Sequence, residues 1–305
     1  MKHLKSRVGM AGWIILLTVA TTTPKTKANA QVLSQRATSN PTAPTMPTST
    51  SEATATAYEN FQAGNLTRAV QQWTQAIREE EDVVVSLFNR SQAFVMLEQY
   101  DFALRDINQI IEIEGPKTEP DVYLIQGIVL GNLDRLPEAL SSFEIVEHQQ
   151  PSAMVYNNRA LVYQRAGEFQ LALSDLERAV DLAPTPVGHL NLANLHIQLE
   201  NFDTAAEQMS QLIARNNVFY PAYLTRGIAR YHLGEYQSAL QDFLATLTAS
   251  AAQPEARYYV GLSLAALDMR EEASGHFLAA ADMYLQRNNG DSYYQVLDVM
   301  SQLGL

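Results

Sequence analysis

The chain has 305 residues, 47% of them apolar, with 33 Asp/Glu against 21 Lys/Arg. It contains no cysteine, which excludes disulfides, thiolate metal sites and a cysteine nucleophile, and no lipid-modified cysteine anchor is expected. An acidic balance of this size repels phosphate backbones and anionic lipid, so neither nucleic acid nor a membrane surface is an expected partner.

The first 30 residues read as a secretory signal peptide. Lys2, Lys5 and Arg7 precede an apolar run of 13 residues, Val8 to Ala20, and Ala28-Asn29-Ala30 supplies a small-x-small cleavage site before Gln31. Lys25 and Lys27 are unusual between such a run and its cleavage site, and an uncleaved anchor is the alternative reading of this segment. Thirteen residues fall short of the ~20 that a membrane span needs, so no span is expected after cleavage. The expectation is an exported protein, in a periplasm, a thylakoid lumen or the extracellular medium. Without these residues the chain keeps 16 basic and 33 acidic side chains, a net charge of −17. Residues 31–49 are rich in Thr, Ser, Ala and Pro, with Pro41, Pro44 and Pro47 evenly spaced, and read as a disordered linker. Ser49 and Glu52 then have capping-box spacing, which places the first helix start there.

From residue 50 to 287 one pattern recurs. It is clearest over residues 153–186, AMVYNNRALVYQRAGEFQLALSDLERAVDLAPTP. With Ala153 as position 1, large residues fall at 4, 11, 17 and 24 (Tyr156, Tyr163, Phe169, Leu176), and small ones at 8 and 20 (Ala160, Ala172). Such alternation describes two antiparallel helices whose backbones approach at the small residues, with a turn at Gly167 and Pro184 ending the unit. The same frame starts at Thr50, Val84, Pro120, Ala153, Pro186, Tyr220 and Pro254. Position 20 is alanine in all seven units; position 8 is always Ala, Ser or Gly, and position 24 always bulky. Repeat 1 departs from the pattern with Ala53 at position 4, and repeat 7 with Arg270 at position 17.

This unit resembles the tetratricopeptide repeat (TPR). The resemblance implies an all-α fold: an α-solenoid of seven TPR helix-turn-helix units. Residues 288–305 follow as a C-terminal capping helix, with Asp291 as its cap and Tyr294, Leu297, Met300 and Leu303 as its packed stripe. The segment AADMYLQRNNGDSYYQVLDVMSQL is also similar, more weakly, to exported TPR proteins of cyanobacteria.

Motifs of catalysis are absent: no glycine-rich phosphate loop, no G-x-S-x-G and no H-E-x-x-H. His189 and His196 share a helix, but seven residues separate them by ~10 Å, too far to share one metal ion. They occupy positions 4 and 11, where the family packs aromatics, so they read as core. No catalytic residue, metal or cofactor is expected, and the chain reads as no enzyme. Repeats 2, 4 and 6 carry Arg at position 7 and Asp at position 23: Arg90/Asp106, Arg159/Asp175 and Arg226/Asp242. The constant offset suggests a charge pair joining the two helices of each unit.

In the family, first-helix positions 2, 5, 6, 9, 12 and 13 line a concave groove. Carried over, these give Phe88, Asn89, Gln92 and Val95 in repeat 2, then Leu124 and Ile128 in repeat 3. Repeat 4 adds Asn157, Asn158, Leu161 and Gln164; repeat 5 adds Leu190, Asn191, Asn194 and Ile197. Leu224, Ile228 and Tyr231 follow from repeat 6, with Tyr258 and Leu262 from repeat 7. Asparagine amides can donate to and accept from an extended backbone, while Leu124, Ile128, Leu161, Leu224, Ile228 and Leu262 suggest an apolar inner stripe. Binding of another protein or peptide segment should then rest on buried area and be insensitive to salt. A carboxylate clamp of Lys and Asn on successive first helices is missing, because the one lysine between Gln31 and Thr118 is Lys117. The implied function is an interaction scaffold holding an extended or helical protein segment in assembly of an exported complex. The alternative is an accessory subunit of a cell-envelope or carbohydrate-processing enzyme, without catalytic residues of its own.

Overall fold

The computed structural model describes residues 51–305. The signal-peptide and linker readings, and Ser49, lie outside the described residues. Fifteen α-helices and one 3-10 turn, Gly115–Lys117, make up the described chain, which contains no strand. Two compact units divide it after Leu182. The N-terminal unit holds α1 (Glu52–Gln62), α2 (Leu66–Arg78), α3 (Val83–Met96), α4 (Tyr100–Glu114), α5 (Pro120–Asn132), α6 (Leu136–Gln149), α7 (Ala153–Arg165) and α8 (Phe169–Leu182). The C-terminal unit holds α9 (Pro186–Gln198), α10 (Phe202–Arg215), α11 (Tyr220–His232), α12 (Tyr236–Ala249), α13 (Pro254–Ala266), α14 (Arg270–Gln286) and α15 (Gly290–Leu303). Each unit is an α-solenoid segment, in which the paired helices of one repeat pack on those of the next.

The helix pairs follow from the small and bulky positions. Ala69, Ala103, Ala139, Ala172, Ala205, Ala239 and Ala273 at position 20 are all fully buried. Where position 24 is phenylalanine, position 8 is glycine, and the reason is steric. A Cβ on Gly127, Gly227 or Gly261 would come within 2.7, 2.6 and 2.8 Å of the rings of Phe143, Phe243 and Phe277. Smaller partners at 24, such as Ile107 or Leu176, leave room for Ser91 or Ala160.

Position 15 makes the turn in every unit. Gly64, Gly167 and Gly234 sit at φ +80°, +79° and +82°, while Glu98, Asp134, Glu200 and Asp268 are held at +58°, +63°, +61° and +64°. The following amide donates back to the carbonyl at position 11 in all seven turns, for example Asn201 N to His196 O at 2.8 Å and Glu168 N to Tyr163 O at 2.9 Å. This closure satisfies last-turn carbonyls of the first helix and aims the chain into the second.

Two helix ends differ from expectation. Ser51 caps α1, its side chain accepting from the amide of Thr54 and its own amide donating to Asp82 at 3.0 Å. At the C-terminus the cap of α15 is Asn289, which accepts from Ser292 N at 3.1 Å. Its packed face is Ser292, Val296, Val299 and Met300, with Tyr293 and Leu303 beside them. Tyr294 is 70% exposed and Leu297 also faces outward, so the stripe read through those two residues is rotated away from the core. The β-branched Val296 and Val299 fill the space against α14 instead.

Candidate peptide-binding face

The paired charges are the best-defined polar constellation, and each is a bidentate fork. Arg90 donates through Nε and Nη2 to Asp106 at 2.8 and 2.6 Å, Arg159 to Asp175 at 2.7 and 2.9 Å, and Arg226 to Asp242 at 3.0 and 2.7 Å. The third guanidinium nitrogen reaches the preceding repeat: Thr74 Oγ1 from Arg90, Glu147 from Arg159 and Ser210 Oγ from Arg226. Each arginine therefore joins two helices of its own unit and one of the unit before, an arm that the constant offset did not reveal. Repeat 3 holds a neutral version, in which Ser142 Oγ donates to Gln126 Oε1 at 2.9 Å. Burial raises the Asp106 carboxyl above its ordinary range, and the hydrogen bond from Arg90 pulls it back only in part. These side chains hold the repeats together, and each of the three guanidinium groups is fully engaged.

The first-helix positions separate into buried and open sets. In the N-terminal unit Phe88, Asn89, Gln92, Asn157 and Gln164 are half-buried, and Leu161 is 41% exposed. Leu124, Ile128, Asn158 and Val95 are buried. In the C-terminal unit Leu190, Asn191, Asn194, Leu224 and Tyr231 are half-buried, whereas Ile197, Ile228, Tyr258 and Leu262 are buried. The apolar inner stripe is therefore not a presented surface. First helices of successive repeats touch, α3 with α5 and α5 with α7, α9 with α11 and α11 with α13, and Leu124, Ile128, Ile228, Tyr258 and Leu262 at positions 5 and 9 are taken up in the core there. Of the stripe only Leu161 stands open.

Aromatic packing explains the C-terminal half of that result. Tyr259 stacks on Phe243 with centroids 5.2 Å apart and meets Tyr231 edge-on at 5.9 Å; Tyr258 meets Phe277 edge-on at 5.8 Å. Burial pushes the Tyr231 phenol far up, with Tyr236 adding to the shift. Thr225 Oγ1 donates to Asn194 Oδ1 at 3.1 Å, tying α11 to α9. His196 is buried in α9 and His189 is half-buried, its burial lowering the imidazole below its ordinary value. His196 is thus a core residue, while His189 lies at the edge of the packing. Among the described residues no group of three His, Asp or Glu could hold a metal ion.

The half-buried residues Phe88, Asn89, Gln92, Asn157 and Gln164, with the exposed Leu161, form an uncharged row on the first helices of the N-terminal unit. It offers amides interleaved with an aromatic ring and one leucine, a surface suited to contact with a polypeptide backbone.

Comparison with known proteins agrees with this fold. Family models described as tetratricopeptide repeat match residues 153–186 and 190–256. Human tetratricopeptide repeat protein 13 is 24% identical over 189 residues, 59% of this chain and 22% of that protein. A lipoprotein NlpI homolog of Haemophilus influenzae is 29% identical over 103 residues, 33% of each chain. The chain thus spans 22% and 33% of the length of these curated relatives. Among solved structures, a tetratricopeptide repeat protein from Parabacteroides merdae superposes with a TM-score of 0.65 at 17% identity, covering 81% of this chain and 98% of that one. The helix pairs over residues 153–186 and 190–256 match tetratricopeptide-repeat models, and the described chain has the fold of a tetratricopeptide-repeat solenoid.

Proposed function

We propose that the chain is a non-catalytic scaffold that holds an extended or helical segment of another protein along its first-helix row, in assembly of an exported complex. The carrying observation is the uncharged row Asn89, Gln92, Asn157, Leu161 and Gln164, half-buried or exposed beside Phe88, which packs partly against the core, while its apolar neighbours are consumed by packing. An extended chain needs partners for its own amides and carbonyls, and amide side chains between apolar contacts provide them without selecting one sequence. Supporting export are the basic start, the short apolar run and the Ala28-Asn29-Ala30 site; the compartment is a periplasm, a thylakoid lumen or the medium.

A photo-crosslinking residue at Leu161, used in the native compartment, tests this reading. One protein should be captured, and the chain recovered there should begin at Gln31. Capture should be lost when Leu161 and Gln164 are both changed to Glu, with helical content unchanged because neither side chain is buried. Undiminished capture by that double variant would place the working surface elsewhere.

A further inference from the structure

Three side-chain amides of the row are unpaired. Asn157 and Asn158 turn their Nδ2 onto the carbonyls of Ala153 and Met154, both at 2.8 Å. Asn89, Gln92 and Gln164, by contrast, have no side-chain hydrogen-bond partner among the described residues, and all three are half-buried. They sit with Leu161, which is 41% exposed, on the first helices α3 and α7. Each amide can donate as well as accept, and none brings a charge.

A segment that matches these groups belongs to the same chain. Residues 37–50, ATSNPTAPTMPTST, directly precede Ser51 and contain no charged side chain. Pro41, Pro44 and Pro47 fall at every third position, each followed by threonine. Three residues make one turn of a polyproline II helix, so this spacing favours an extended chain with prolines along one edge. Such a chain has no internal hydrogen bonds, and proline removes three of its amide donors, so carbonyls are in excess. Uncharged amides supply donors to them.

The point of attachment is close to the row. Ser51 N donates to Asp82 Oδ2 at 3.0 Å, and Asp82 directly precedes α3. From there Asn89 is about 10 Å along the helix, at 1.5 Å per residue. Helix α3 touches α5, and α5 touches α7, so two further steps of about 8–10 Å each lead to Leu161 and Gln164. The whole path is about 30 Å, whereas residues 37–50 span about 43 Å as polyproline II.

We infer that residues 37–50 of this chain lie along Asn89, Gln92, Leu161 and Gln164 as an extended proline-edged segment, an intramolecular ligand that a foreign segment must displace. The inference rests on the scaffold reading above and names the competitor for the same face. Tethering holds the segment at an effective concentration in the mM range, so a weak affinity is enough to fill the row. Carbonyls meet the three amides, and the apolar edge of Pro41, Pro44 and Pro47 meets Leu161.

A photo-crosslinking residue in place of Leu161, in purified full chain mixed with isotope-labelled wild type, tests this. The cross-link should map to residues 37–50 of the unlabelled chain. Gln92→Ala, and separately Pro41→Gly, Pro44→Gly and Pro47→Gly combined, should each lower its yield about threefold or more. The triple variant alters no described residue, so it carries the comparison should Gln92→Ala lose helicity by circular dichroism. A fluorescent peptide of residues 37–50 should bind the triple variant about tenfold tighter than wild type, whose own segment competes. A cross-link to the labelled copy would make the occupant a second copy and overturn the intramolecular placement. No cross-link, one outside residues 37–50, or equal binding of the peptide to both chains overturns the inference altogether. The scaffold reading is judged separately, by capture of a foreign protein in the native compartment.

Discussion

Single residues set the turns of this protein, and they do so at some cost. Position 15 must be left-handed for the amide after it to reach the carbonyl at position 11, yet Glu98, Asp134, Glu200 and Asp268 carry side chains there. A β-carbon in that region of backbone space is disfavoured by roughly 1–2 kcal/mol, against which the larger unfolded-state freedom of glycine takes back part. Glu200→Gly should therefore raise stability by about 0.5–1 kcal/mol, read as a higher urea midpoint at an unchanged slope. A lower midpoint would mean that the Glu200 side chain supplies a compensating contact. Gly227 obeys a different rule. It is glycine because the ring of Phe243 fills the place of its β-carbon, and its backbone is ordinary helix.

Among elements, the arginine forks decide how one helix pair is joined to the next. Arg159 and Asp175 are both buried, and Glu147 of the preceding repeat closes the third side of the guanidinium. Its charged state is held far more firmly than usual, chiefly by the hydrogen bonds it donates to Asp175 and, after these, to Glu147. Arg159→Leu strands the Asp175 carboxylate in the core and should cost about 3–5 kcal/mol, whereas Arg159→Leu combined with Asp175→Leu should cost clearly less. Thermal or urea unfolding of both variants measures the difference. Equal losses would show that packing of the arginine stem, and not the stranded charge, carries the effect. The same reasoning explains why repeat 3 manages with a serine and a glutamine: two neutral groups that satisfy each other leave nothing to strand.

For the molecule as a whole, the core of the C-terminal unit contains a group whose charge the fold opposes. Glu255 is 5% exposed, and burial pushes its carboxyl up to about 8 from an ordinary 4.5. A carboxyl with a raised folded value keeps its proton in the native state after the unfolded chain has released it. Stability from this group is thus fully present below about pH 4.5 and is lost as pH rises towards 8. Urea unfolding at pH 5 and pH 8 should show the wild type losing stability across that window, and Glu255→Gln, which cannot ionise, losing less. Identical pH dependence in the two proteins would mean that water or a partner already stabilises the Glu255 anion.

Contacts closed within about 34 residues were legible from the chain alone. The period, the small residue at position 8 facing the bulky one at 24 and the buried alanine at 20 are written seven times, and the Arg–Asp offset of 16 three times, wherever two helices of one unit meet. The groove positions were not legible in that way. Whether Leu124, Ile128, Ile228 or Tyr258 faces solvent depends on side chains of the next repeat, and the helix contacts there absorb all four while leaving Leu161 open. Neither the third arm of each arginine nor the face of α15 that packs could be read, since both depend on a neighbouring element with no fixed partner in the repeat frame.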